Sequence, residues 1–103
     1  MKRVLIADDE PIERMIVSRT VEKYFSEELT VVSAANGREA VEQFFAGDCQ
    51  IALLDIEMPG MNGLEAAEQI RKRDKTAVLF FLRHLMNLIM PGVRLRSAPW
   101  NIC

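Results

Sequence analysis

Short apolar runs alternate along this chain with stretches whose apolar residues recur at helical spacing. The run "RVLIA" ends abruptly in Asp8-Asp9-Glu10, the pattern of a parallel strand buried on both faces. Pro11 opens a helix, where its missing N–H costs nothing. Ile12, Met15, Ile16, Val21, Tyr24 and Phe25 give that helix an apolar stripe. "LTVVSA" predicts a second strand, and Asn36-Gly37 turns the chain into a helix carrying Ala40, Val41, Phe44 and Phe45, stopped at Gly47. "IALLD" predicts a third buried strand. Met58-Pro59-Gly60-Met61-Asn62-Gly63 is a loop by its Pro and Gly content. Leu64, Ala67 and Ile70 mark a third helix that ends in Arg71-Lys72-Arg73, and "AVLFFL" predicts a fourth strand. Strict alternation of strand and helix predicts an α/β fold, a parallel sheet with right-handed crossovers.

Length and charge sharpen this picture. A chain of 103 residues supports one domain, and half of its residues are apolar. All 15 acids lie in residues 1–82 with ten of the 13 bases, so that segment carries −5 and residues 83–103 carry +3. An acidic body argues against nucleic acid as a direct partner. Cys49 and Cys103 form no metal or redox spacing, which suits a reducing cytosol. The first residues, MKRVLIADDE, hold too few consecutive apolar residues for a signal sequence, and no stretch is long enough to cross a membrane. A cytoplasmic location with no membrane contact is the expectation.

The acids at the strand ends carry the candidate chemistry. In an open parallel sheet the ligand site lies beyond the carboxyl ends of the strands, at the point where the connections switch faces. Asp8 and Asp9 leave the first strand and Asp55 leaves the third. If those strands are neighbours, three like charges converge, and a cation or shared protons must offset their repulsion. A hard divalent ion with oxygen ligands, Mg²⁺ keeping several waters, is the natural answer. One carboxylate beside such an ion can act as a nucleophile toward a phosphoryl group. The plainer alternative is that Asp9 caps the first helix and Asp55 merely ends a strand.

"VLIADDEP" together with "IALLDIEMPGMNGLE" resembles the receiver domain of two-component response regulators. The resemblance implies a flavodoxin-like, doubly wound sheet of order 2-1-3-4, continued in the family by a fifth strand and further helices. It implies that Asp55 is the phosphoacceptor, that Asp8, Asp9 and Asp55 hold Mg²⁺, and that the backbone carbonyl of Glu57 supplies a further ligand. A histidine kinase or phosphotransfer protein would be the donor, within a phosphorelay that regulates transcription through an output domain. Such a domain is a switch with at most weak autophosphatase activity rather than an enzyme. A haloacid-dehalogenase-like phosphatase also uses an Asp after a buried strand, but it needs a second Asp where this chain has Glu57.

The resemblance covers residues 2–82 and then stops. In the family the fourth strand ends in Thr or Ser followed by Ala, and a Lys comes later; here Arg83 and His84 stand at those places and no Lys follows. One nucleotide inserted after the Leu82 codon permits Leu-Thr-Ala-Phe-Asp-Glu-Phe-Asp-Tyr-Ala-Arg, a receiver-like continuation. In that frame "SAPWNIC" permits Gly-Ala-Leu-Glu-Tyr-Leu, a fifth strand. Residues 1–82 therefore read as a partial receiver domain and 83–103 as a frameshift-like tail, the output domain being lost. Loss of the fifth strand would expose the edge of "AVLFFL" and favour self-association. A receiver remnant without a competent switch is the competing outcome.

Other features have plainer explanations. Arg71, Lys72, Arg73 and Lys75 sit where a helix C-terminus favours solvated cations. Met58 and Met61 suit packing beneath their loop better than soft-metal binding. "HLMNLIM" has helical spacing suited to filling a gap in the core.

Overall fold

The computed structural model describes residues 2–25 and 28–83. The expectations for residues 84–103, including the packing of "HLMNLIM" and the role of His84, lie outside the described residues.

The elements follow the predicted alternation. They are β1 (Lys2–Ala7), α1 (Pro11–Phe25), β2 (Leu29–Ala34), α2 (Gly37–Ala46), β3 (Ile51–Leu54), α3 (Gly63–Arg73) and β4 (Val78–Phe81). The four strands form one parallel sheet in the order β2-β1-β3-β4, as expected for a doubly wound sheet. Successive side chains on a strand point to opposite faces, so each interior strand serves two layers. Leu5, Ala7, Ala52 and Leu54 pack with Ala40 and Phe44 of α2 and Ala66 and Ile70 of α3. Val4, Ile6 and Leu53 face the other way, against Val17 and Val21 of α1 and against Leu82. Both layers are apolar, which is why β1 and β3 read as unbroken hydrophobic runs. Each large side chain withdrawn from water contributes about 1.5–3 kcal/mol.

The face that α1 buries differs from the predicted stripe. Its buried residues are Glu13, Val17, Thr20 and Val21, at the i, i+4, i+7, i+8 spacing of one helical face. Ile12, Met15, Tyr24 and Phe25 are exposed, and Ile16 is half-buried. Of the predicted stripe only Val21 is buried. The rotation has a physical source: Val17 and Val21 fit over Val4, Ile6 and Leu53, and this turns Glu13 toward the acidic end of β1. A smaller shift occurs in α3, where Ala66 and Ile70 are buried but Leu64 is exposed.

Candidate functional site

The register of β1 with β3 builds the site. Ala7 pairs with Leu54, so the next residues, Asp8 and Asp55, leave adjacent strands at the same level. The Asp55 N–H donates to the Ala7 carbonyl at 2.9 Å, and the Asp8 N–H donates to the Ala34 carbonyl at 3.1 Å. Because α1 lies on one face of the sheet and α2 and α3 on the other, the gap between β1 and β3 is the switch point. One carboxylate oxygen from each of Asp8, Asp9 and Asp55 lies within 4.8 Å of the others. Asp8 is fully buried, Asp55 is 5% exposed and Asp9 is half-buried. The structure thus brings together the three acids predicted from the strand ends.

The surroundings of Asp8 determine its charge. Its Oδ1 accepts the Glu10 N–H at 2.9 Å, whereas its Oδ2 is buried without a hydrogen-bond donor. Arg14 Nη1 donates to the Asp8 main-chain carbonyl at 2.6 Å and leaves the carboxyl itself uncompensated. Burial pushes the Asp8 carboxyl up to about 8, with the neighbouring Asp55 and Glu13 carboxyls adding to the rise against the Glu10 N–H. A buried carboxylate lacking a donor calls for a proton or a cation. Three converging hard oxygen donors suit a divalent ion of the Mg²⁺ class, and the half-exposed Asp9 leaves one side open for retained waters.

The loop after β3 holds Asp55 from the far side. The Gly63 N–H donates to the Ile56 carbonyl at 2.9 Å, and a side chain at Gly63 would collide with the Asp55 carbonyl. Only glycine lets α3 start this close to the acid. Asn62 then caps α3: its side chain accepts the Glu65 N–H at 2.9 Å, and Glu65 accepts the Asn62 N–H at 3.0 Å. The pair is a capping box. Met58 is buried and Met61 half-buried, both within the core under this loop, as their apolar character predicted. Glu57 is exposed on the loop, two residues past Asp55.

Glu13 and Arg14 escape sequence reasoning because the stripe chosen for α1 placed position 13 away from the core. Correct phasing of the helix from Val17 and Val21 would have found Glu13, one turn before Val17.

An α/β domain with three carboxylates at its switch point and an acid presented by the third strand has the layout of a signalling phosphoacceptor. The chain belongs to the response regulator receiver domain family, whose profile matches residues 4–91, nine residues past Leu82. It is 42% identical over 76 residues to the chemotaxis protein CheY of Thermotoga maritima, a match covering 74% of this chain and 62% of that one. It is 39% identical over 82 residues to the positive alginate biosynthesis regulatory protein of Pseudomonas aeruginosa, covering 79% of this chain and 33% of that one. The chain therefore spans less than two thirds of these relatives. Among solved structures, the response regulator TrrA of Thermotoga maritima in complex with Mg²⁺ and BeF superposes with a TM-score of 0.67 at 44% identity, covering 77% of this chain and 66% of that one. A chain from the complex of the histidine kinase ThkA with TrrA superposes with a TM-score of 0.69 at 42% identity, covering 79% and 67%. No helix among the described residues is long and apolar enough to cross a membrane.

Proposed function

We propose that this chain accepts a phosphoryl group on Asp55 from a histidine kinase or phosphotransfer protein, with a divalent cation held by Asp8, Asp9, Asp55 and the main-chain carbonyl of Glu57. The observation that carries this is the convergence of the three carboxylates within 4.8 Å at the switch point. A carboxylate oxygen of Asp55 attacks phosphorus; the bond from phosphorus to the donor's imidazole nitrogen breaks, and the imidazole leaves with the electron pair and takes up a proton. A bound Mg²⁺ supplies charge neutralisation for the carboxylates and the phosphoryl oxygens. The half-buried Asp9 marks the open side from which a donor approaches. The exposed Glu57 stands where a haloacid-dehalogenase-like phosphatase would need a second Asp, so weak autophosphatase activity is the most that this site supports.

The proposed boundary lies at Leu82/Arg83, with 83–103 a frameshift-like tail, and the switch serves transcription regulation in the cytoplasm through an output domain. Arg83 replaces the hydroxyl expected after β4, so Asp55 is phosphorylated slowly and without a coupled surface change. Incubation with a small phosphodonor and Mg²⁺ tests the reading. Acid-labile phosphate forms on the wild type and is absent from Asp55→Asn; label that survives this substitution places the nucleophile elsewhere. Resequencing the gene across the Leu82–Arg83 codons tests the tail.

We also infer self-association through the edge of β4, which no strand among the described residues pairs. The Val78 N–H points at Gln50 of the neighbouring strand, so by strand alternation Leu79 and Phe81 direct their main-chain groups outward. Phe80 is 45% exposed, and Val78–Phe81 contains none of the charges or prolines that protect edges. Sedimentation of dilute wild type and Phe80→Lys gives dimers or larger species for the first and monomer for the second; a monomeric wild type rejects the edge.

A further inference from the structure

Asp8 stands one residue beyond the paired part of β1, whose register ends with Ala7 opposite Ala34 on one side and Leu54 on the other. Its N–H still reaches the Ala34 carbonyl at 3.1 Å, and its Oδ1 accepts the Glu10 N–H at 2.9 Å. Its own carbonyl lies past the last ladder pair, and there Arg14 Nη1 donates to it at 2.6 Å. That carbonyl belongs to the planar peptide joining Asp8 to Asp9. A hold on its oxygen therefore sets the plane from which the Asp9 side chain departs. We propose that Arg14 is a positioning residue for the divalent cation: by fixing the Asp8–Asp9 peptide it keeps the Asp9 carboxylate turned toward Asp8 and Asp55.

Local helix physics does not explain a cation at this position. Arg14 is the fourth residue of α1, in the first turn, where the helix dipole disfavours positive charge. In α3, by contrast, Arg71, Lys72 and Arg73 occupy the last turn, where the dipole favours them. Arg14 is also half-buried, and ordering so long a side chain onto one carbonyl costs rotamer freedom. A hydrogen bond from a charged donor is strong enough to offset that cost. Partners that orient a metal-binding group from behind also set affinity, and their loss typically weakens binding about 10–100-fold. The alternative is a guanidinium that merely offsets the repulsion among Asp8, Asp9 and Asp55. That alternative makes the opposite prediction: removing the guanidinium leaves the pocket more negative, and Mg²⁺ binds more tightly.

The inference rests on the cation reading of the site, and the experiment separates the two. Mg²⁺ affinity is measured by calorimetry on wild type, Arg14→Met and Arg14→Lys, with melting curves in the absence of metal to establish that each variant is folded. Arg14→Met keeps an aliphatic stem, loses the donor and binds the ion about ten-fold more weakly. Arg14→Lys, whose ammonium can donate to the same carbonyl, restores most of the affinity. Wild type that fails to bind Mg²⁺ overturns the cation reading, and this role with it. Wild type that binds while Arg14→Met binds equally well overturns only the role of Arg14. An Arg14→Met variant that binds more tightly overturns it too, and assigns the guanidinium to charge offset. An Arg14→Lys variant as weak as Arg14→Met overturns the carbonyl contact as the cause. If Arg14→Met does not fold, Arg14→Ala provides the same comparison with the strongest helix former.

Discussion

β1 and β4 are similar apolar runs with opposite fates. From Val4 to Ala7, β1 is buried at every residue, clamped between β2 and β3 and covered on both faces. Along β4, exposed Val78 and Phe80 alternate with half-buried Leu79 and Phe81. Composition made both runs strands; their places in the sheet made one an interior and the other an edge. The acidic pocket hangs entirely from the interior pair, β1 and β3, with α1 and the β3–α3 loop around it. The acidic pocket therefore draws its three carboxylates from the ends of interior strands rather than from β4.

That contrast can be broken by mutation. Leu54 is fully buried in the layer shared with α2 and α3, so Leu54→Ala should cost about 2–5 kcal/mol in denaturant unfolding. An effect below 1 kcal/mol would mean that the interior is not packed as described.

Next in size is a pH effect. The Asp8 carboxyl stands at about 8 in the fold against an ordinary value of 3.8, mainly through burial. Between those limits the unfolded chain has released a proton that the metal-free fold retains. This contribution to stability is fully present below pH 4, declines as pH rises, and is gone above pH 8, at up to about 1.4 kcal/mol per pH unit. Subtracting the melting profile of Asp8→Asn isolates the term, and a difference that is flat with pH would contradict it.

The Asn62 cap is worth less. Asn62→Ala removes the acceptor of the Glu65 N–H and should cost about 1 kcal/mol, read from chemical denaturation. Smallest of all, Phe80→Ala should change the monomer's stability by about 0.5 kcal/mol or less while weakening association. A loss matching that at Leu54 would erase the distinction between edge and interior.

The strand–helix alternation and the three acids were legible because period, strand length and strand-end chemistry are local, whereas the strand order came from the resemblance to receiver domains. Asp8, Asp9 and Asp55 needed only the assumption that the first and third strands are neighbours. The buried face of α1 was not legible: Ile12, Met15, Tyr24 and Phe25 look like a core stripe, yet the tertiary fit of Val17 and Val21 over the sheet exposes them. With that phase lost, Glu13 was lost too, since a glutamate in a first helical turn reads as solvated. The Gly63–Asp55 approach was equally hidden, because nothing in a Pro- and Gly-rich loop says which glycine lies against an acid.

A calorimetric titration of the wild type with Mg²⁺ near neutral pH, repeated on Asp9→Asn, tests the central claim most directly. Asp9 is half-buried, so its replacement leaves the core intact while removing one of the three converging negative charges. The wild type should bind saturably at one site per chain, with a matching rise in melting temperature by mass action, and the variant should bind far more weakly. A wild type whose melting ignores millimolar Mg²⁺, or a variant that binds the ion as well as the wild type does, would contradict it.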